Sequence, residues 1–373
     1  MNLSMDTIDK RDRILWLDVA RVLAILFVSF NHAINRTFDN YHNTMTDFQM
    51  LSLPLMVFKT TITVLSKLGV PLFLMITGAL ILHKRFESHE DVKYFYKHNL
   101  LRLFITTELW FVVIYLYKCL DAESILRLQG LWPAVKALVQ TICFINPVSF
   151  DSMWYLPMIL CVYLVLPFFA LSIRKVGMNS LLLPMAVVVC SGMLIPNINM
   201  TRKLMGFTDE LVFSLNWVNV FSFYVVFVLI GYAVSEGMLS GIKKTAVWAT
   251  ATVSFAACCF YQYWAYSQPG NILLDYNFLL LAVCAAACFE LLRRHPFKQG
   301  RTALVISDIA VMAFAIYFVH ICIMQGMSTV LNIHGYLPKF LILEVASVAG
   351  SILLIKIFSK NHFLKTYLFM IKE

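Results

Sequence analysis

Ten apolar runs alternate with short polar connections along the chain, at residues 14–36, 60–82, 100–120, 152–173, 179–197, 216–236, 243–266, 271–292, 308–331 and 339–359. Each is close to the ~20 residues that a helix needs to cross a hydrocarbon layer ~30 Å thick. A backbone in lipid has to satisfy its own hydrogen bonds, so all ten are expected to be helices. The connections are too short to fold alone. The pattern therefore predicts one all-α integral membrane domain over residues 1–373, a single bundle of about ten transmembrane helices. Residues 131–144, Leu131-Trp-Pro-Ala-Val-Lys through Cys143-Phe144, are apolar on one helical face only. They predict an amphipathic helix that lies in the interface or re-enters, and not an eleventh span. The connection 37–59, with Asp39, Tyr41, His42 and Asp47, either lines an acceptor site or is a solvated loop.

Composition agrees with the pattern. Of the 373 residues 60% are apolar and only 14% charged, outside the range of an ordinary soluble domain. The first run follows a charged start, Asp9-Lys-Arg-Asp-Arg13, and lacks a small-residue cleavage site, so it reads as an uncleaved first span. The net charge of +9 points to orientation more than to nucleic acid. With the N-terminus inside, most of the thirty lysines and arginines fall in cytoplasmic connections, so both termini are expected in the cytoplasm. The most basic connection, 83–101, carries His83, Lys84, Arg85, Lys93, Lys97 and His98, a field for an anionic cytoplasmic ligand or for anionic lipid headgroups. The nine cysteines lie mostly inside apolar runs. Although Cys284 and Cys288 share a helix face, no histidine or carboxylate pattern accompanies them, so buried thiols and no metal are expected.

Chemistry concentrates in the first run, where Asp18, Arg21 and His32 interrupt an otherwise apolar segment. An ionisable group in hydrocarbon costs roughly 2.5–3.5 kcal/mol or more, so it normally faces a protein interior or a watery cavity. Arg21 and His32 are eleven residues apart, about three turns plus ~20°, and so lie on one face ~16 Å apart along the axis. Asp18, three residues before Arg21, is placed to pair with it. Glu108 is an acid deep in the third run, and His320 follows Tyr317 in the ninth. Each fits either function or simple satisfaction of a buried polar group. Glu290, Glu344 and Lys356 lie nearer the ends of their runs and are expected to snorkel.

Several of these residues belong to recognisable motifs. Leu17-Asp18 with Arg21 and His32, the run Gly69-Val-Pro-Leu-Phe-Leu-Met-Ile-Thr-Gly-Ala-Leu-Ile-Leu, Ser152-Met-Trp-Tyr-Leu-Pro, Val228-Leu-Ile-Gly-Tyr and Ile316-Tyr-Phe-Val-His320 follow one another in the order seen in the acyltransferase 3 family of bacterial membrane O-acyltransferases, which the chain resembles from about residue 13 to 360. The glycine-valine-proline version of the second motif is similar to the stand-alone sugar O-acetyltransferases of that family. The resemblance implies a multi-pass protein of the bacterial cytoplasmic membrane that moves an acetyl group from cytoplasmic acetyl-CoA to a hydroxyl of a cell-surface or lipid-linked carbohydrate. It implies functional roles for Arg21 and His32, and donor binding by Arg102 as the second arginine of a basic pair. Asn99 stands where that pair has its first arginine, so the donor-binding charge there either comes from the neighbours Lys97 and His98 or is missing, and Ser152 stands where a histidine is usual.

The residues themselves are compatible with that chemistry. A histidine, with an unperturbed pKa of about 6.5, can take the proton of a sugar hydroxyl as it attacks a thioester. An arginine ~16 Å away can hold a phosphate of CoA while the pantetheine arm spans the distance. Direct transfer and an acyl-histidine intermediate both fit, direct transfer being the simpler. The same buried Arg, His and Glu would also serve a transporter of a polysaccharide or small polar substrate, and a sensor or accessory subunit is a third reading.

Overall fold

The computed structural model describes residues 14–38, 45–120, 131–145, 153–212, 222–269, 273–331 and 333–371. The described elements are helices: α1 (Leu15–Phe38), α2 (Met45–Gln49), α3 (Leu53–Ser66), α4 (Gly69–Ile81), α5 (His89–Phe95), α6 (Leu101–Leu120), α7 (Leu131–Ile142), α8 (Tyr155–Val176), α9 (Leu182–Val189), α10 (Ile195–Leu204), α11 (Tyr224–Ser235), α12 (Lys244–Tyr266), α13 (Leu279–Arg294), α14 (Arg301–Val330) and α15 (Tyr336–Phe358). Wider π turns at Tyr96–Leu100 and Cys190–Leu194 join α5 to α6 and α9 to α10, and a π turn at Leu364–Leu368 follows α15.

Among the described residues, seven helical stretches are long and apolar enough to cross a membrane: Leu15–Phe38, Leu53–Ile81, His89–Tyr117, Tyr155–Val176, Met178–Leu204, Arg301–Ser328 and Tyr336–Phe358. The other three predicted runs also contain helices, namely α11 of 12 residues, α12 of 23 and α13 of 16. Several ends moved for visible reasons. The second stretch begins at Leu53, not 60, because extended Ser52 and Pro54 in the first turn start a helix there. The third begins at His89, not 100, because Ser88 and Asp91 form a reciprocal capping box. On α13 the start slips from 271 to 279, where Asn197 Oδ1 accepts from the Leu279 amide at 2.8 Å. The predicted amphipathic segment is α7, which exposes Trp132, Val135 and Val139 along one apolar stripe.

The chain divides into two compact units. The first comprises Met1–Leu80, Leu182–Ala313 and Ile333–Glu344, and the second Ile81–Leu181, Phe314–Asn332 and Val345–Glu373. In the first, α4 crosses α11 at two glycines. A Cβ on Gly78 would lie 1.8 Å from the Val228 carbonyl oxygen, and one on Gly231 2.0 Å from that of Met75. Small residues allow this close approach, which replaces a hydrophobic driving force that lipid cannot supply. Gly78→Ala meets backbone that no rotamer change can move, so it is expected to lower stability by about 1–3 kcal/mol or more, seen as an earlier thermal unfolding transition of the purified protein in detergent.

Glu290 and Glu344 do not snorkel. Glu290 is fully buried at the end of α13 and takes hydrogen bonds from Arg293 at 2.8 and 2.9 Å and from Arg294, which also reaches the carbonyls of Leu239 and Ile242. The two guanidinium partners offset the cost of burying the Glu290 carboxylate.

In the second unit three side chains spaced four apart on α6 receive the end of the chain. Arg102 Nη2 donates to Thr366 O at 3.1 Å, Thr106 Oγ1 to Tyr367 O at 2.6 Å and Trp110 Nε1 to Leu368 O at 2.8 Å. These carbonyls close the Leu364–Leu368 turn, whose last C=O groups have no partner within their own element.

Candidate functional site in the first unit

The first helix carries the candidate chemistry, and its acid is the anchor. Asp18 is 1% exposed, and both its oxygens are engaged: Arg21 Nη1 donates to Oδ1 at 2.6 Å and Ser307 Oγ of α14 to Oδ2 at 2.8 Å. The ion pair is stepped by one helical turn, so the guanidinium is held at a defined height on α1 while remaining 23% exposed. Asp18 thus acts on the arginine. Its burial excludes the interfacial role usual for an acid near a helix end.

Three turns along, His32 is buried at 8% exposure, with Ser29 and Asn35 also buried on the same helix. Helix α15 runs antiparallel to α1 here. Phe38 stacks on Tyr336 at 4.6 Å between centroids, Phe30 packs on Phe340 at 5.6 Å, and Ser29 Oγ donates to Glu344 Oε2 at 2.8 Å. Ser29 and His32 are three apart and share a face, so Glu344, 6% exposed, arrives at α1 one turn from the imidazole. Helical spacing alone marks Ser29. Nothing in the sequence marks Glu344, which is 315 residues from its partner.

The second span breaks beside this polar face. Helix α3 ends at Ser66 and α4 begins at Gly69, with Pro71 unable to continue the hydrogen-bond ladder. A Cβ on Gly69 would sit 2.8 Å from the Ala24 carbonyl and from Val28, so glycine lets α4 start against the middle of α1. At the break Ser66 Oγ donates to Thr63 O at 2.7 Å and faces Asn31 Oδ1 at 3.4 Å, and Lys67 Nζ lies over the Tyr276 ring at 4.9 Å. Lys59, expected in a loop, is instead 1% exposed inside α3. Its ammonium lies 4.6–5.6 Å from the rings of Tyr266, Phe38 and Phe48, where cation–π attraction offsets its desolvation.

The other candidates lie in the second unit, each with its own contacts. Lys97 lines a groove with His89 and Lys93, while His98 stacks on Tyr94 at 3.9 Å and donates from Nδ1 to its carbonyl at 2.9 Å. Arg102 is turned onto the Thr366 carbonyl, so these three do not converge on one point. Glu108 buries both carboxylate oxygens with no hydrogen-bond partner among the described residues. His320 is fully buried, and its Nδ1 donates to Ile316 O at 2.7 Å. Asn99 Nδ2 donates to the Phe95 carbonyl of its own helix at 3.2 Å, and so does not replace an arginine's reach. Ser152, Asp39, Tyr41 and His42 lie outside the described residues, while Asp47 is in α2. Among the described residues no group of three or more His, Cys, Asp or Glu side chains could hold a metal ion.

No curated protein and no solved structure matches the chain. A family model does: the acyltransferase domain of the acyltransferase 3 type matches residues 14–356, nearly the whole helical array and both ends of the α1 polar face. The chain belongs to that family, and it is a membrane acyltransferase.

Proposed function

We propose that the protein moves an acetyl group from cytoplasmic acetyl-CoA to a hydroxyl of a cell-surface or lipid-linked carbohydrate in the bacterial cytoplasmic membrane, with about ten spans and both termini in the cytoplasm. The observation that carries this reading is the polar face of α1: a guanidinium held by a buried acid at one end and, ~16 Å away, a buried histidine one turn from the serine that binds a second buried acid. Arg21 would hold a phosphate of CoA at the basic cytoplasmic end, and its planar fork suits a phosphate better than a point charge does. His32 would take the proton of the acceptor hydroxyl as its oxygen attacks the thioester carbonyl. The carbon–sulfur bond breaks, the ester forms, and CoA leaves as the thiolate that recovers the proton. Glu344 would stabilise the imidazolium formed in that step and keep the ring aimed at the acceptor, with Ser29 holding Glu344 in place. Burial around His32 excludes water that would otherwise hydrolyse the thioester.

Purified protein in lipid nanodiscs, given acetyl-CoA labelled in the acetyl group, is expected to release CoA and label a polysaccharide or lipid-linked sugar fraction of the host. Release of CoA without label on any carbohydrate would remove the acceptor class. For Arg21→Lys the expected result is weaker binding of acetyl-CoA by about 1.5–3 kcal/mol, the range of a hydrogen bond to a charged group, with kcat little changed. Calorimetric titration checks this, and equal affinity counts against the donor role.

One observation favours a second reading. The break between α3 and α4 lies within an apolar span beside buried charges, as in transporters built from discontinuous helices. In proteoliposomes a transporter would move labelled sugar without releasing CoA, and the enzyme would not.

A further inference from the structure

A groove of about 750 Å³ opens in the second unit between the helix that begins at His89 and α8. Its two ends differ in chemistry. At one end His89, Lys93 and Lys97 follow at intervals of four and so line one helix face. No acidic side chain is among the lining residues; of the two acids on the same turn, Glu90 makes only an exposed 3.7 Å pair with Lys93, and Asp91 is committed to the capping box with Ser88. So exposed a pair holds Lys93 only weakly, and the charged groups that line the groove itself are cationic. Beyond Lys97 the walls are hydrocarbon: Leu160, Cys161 and Leu164 on α8, and Leu101 opposite. The one hydroxyl at the wall, that of Tyr96, is already spent on the Leu164 carbonyl at 2.7 Å. Phe104 and Phe144 close the far end. Phe144 is held there in a left-handed backbone conformation, φ 55°, that a bulky residue adopts only under constraint.

We propose that this groove seats one anionic phospholipid, with its phosphate between Lys93 and Lys97 and one acyl chain lying against α8 as far as Phe104 and Phe144. The dimensions fit this occupant. From Lys93 to Phe104 is eleven residues, about 16 Å of helix, and one leaflet of hydrocarbon is about half of ~30 Å. A neutral lipid satisfies the apolar wall and brings no anion to the lysines that line the other end, whereas a free anion satisfies the lysines and leaves the wall in water. A lipid phosphate on a hydrocarbon chain satisfies both. The groove shares no residue with the α1 face, and the proposal stands whether or not that reading of the reaction holds.

The test uses full-length protein stripped of lipid in detergent and titrated with phosphatidylglycerol or phosphatidylcholine, bound lipids being counted by native mass spectrometry. One phosphatidylglycerol is expected to be retained in preference to phosphatidylcholine. Each lysine near an anionic headgroup contributes about fivefold, so Lys93→Gln with Lys97→Gln is expected to weaken that lipid about thirtyfold. Leu160→Trp fills the groove and is expected to abolish it with the monodisperse size-exclusion profile kept. If that variant does not fold, alkylation of Cys161 by a bulky maleimide on folded Cys143→Ser protein serves instead, since both thiols are exposed. Equal retention of the two lipids overturns the proposal, as does full retention after the groove is blocked. Displacement of the lipid by excess acetyl-CoA would assign the groove to the donor and also overturn it.

Discussion

His32→Ala is expected to lower kcat for acyl transfer by about 10²–10⁴, the usual contribution of a general base, with acetyl-CoA affinity unchanged. The expectation follows from position. The imidazole is buried in the polar face of α1, three turns from Arg21 and its buried partner Asp18. Removing it leaves Arg21, Asp18 and Ser307 untouched, so donor binding has no reason to change. Single-turnover kinetics with labelled acetyl-CoA separate the two quantities. Transfer at the wild-type rate would remove His32 from the chemistry, and a parallel loss of donor affinity would make its role structural. His32→Gln, which keeps hydrogen-bonding capacity but cannot serve as a base, distinguishes lost chemistry from a collapsed polar face and is expected to be as inactive as the alanine variant.

The second large effect is expected at Glu344. Glu344→Gln keeps the shape and can still accept from Ser29 Oγ, but it carries no charge to stabilise an imidazolium one turn away. A drop in kcat of about 10–100-fold is expected, the range seen when a group that orients a functional histidine is removed. KM for acetyl-CoA and the thermal unfolding transition should stay near their wild-type values. A purely structural carboxylate would give the opposite pattern, with normal turnover and an earlier transition from a buried hydrogen bond rearranged. Ser29→Ala supplies the control. It removes the hydroxyl that holds Glu344 and should give a smaller loss of the same kind, in kcat and not in KM.

The role predicted for Glu344 was not open to sequence reasoning. Near the end of its apolar run, Glu344 has the ordinary look of an acid that reaches for the interface. Only the antiparallel packing of α15 on α1, fixed by the Phe38–Tyr336 and Phe30–Phe340 ring contacts, brings it to Ser29. Glu290 misleads in the same manner, because Arg293 and Arg294 on its own helix turn it inward. Arg102 shows the converse. Its family motif points to donor binding, whereas its guanidinium here closes the last turn of the chain, so any donor contact has to share the side chain with Thr366.

What the amino-acid order determined by itself was whatever depends on neighbours within one helix. Apolar runs of spanning length, the i to i+3 pairing of Asp18 with Arg21, and the common face of Arg21 and His32 all follow from 3.6 residues per turn and from the cost of unpaired polar groups in hydrocarbon. Helix ends were less legible, since capping by Ser88 and Asp91 can be read locally but capping of α13 by Asn197 cannot. The partners of each polar group were decided by tertiary structure alone. Ser307 on Asp18, Glu344 on Ser29 and the aromatic box around Lys59 each join residues from helices that pack together only in the folded unit. In a membrane that packing is set by where small residues such as Gly69 and Gly78 let backbones approach, a property of surfaces in contact and not of any one segment.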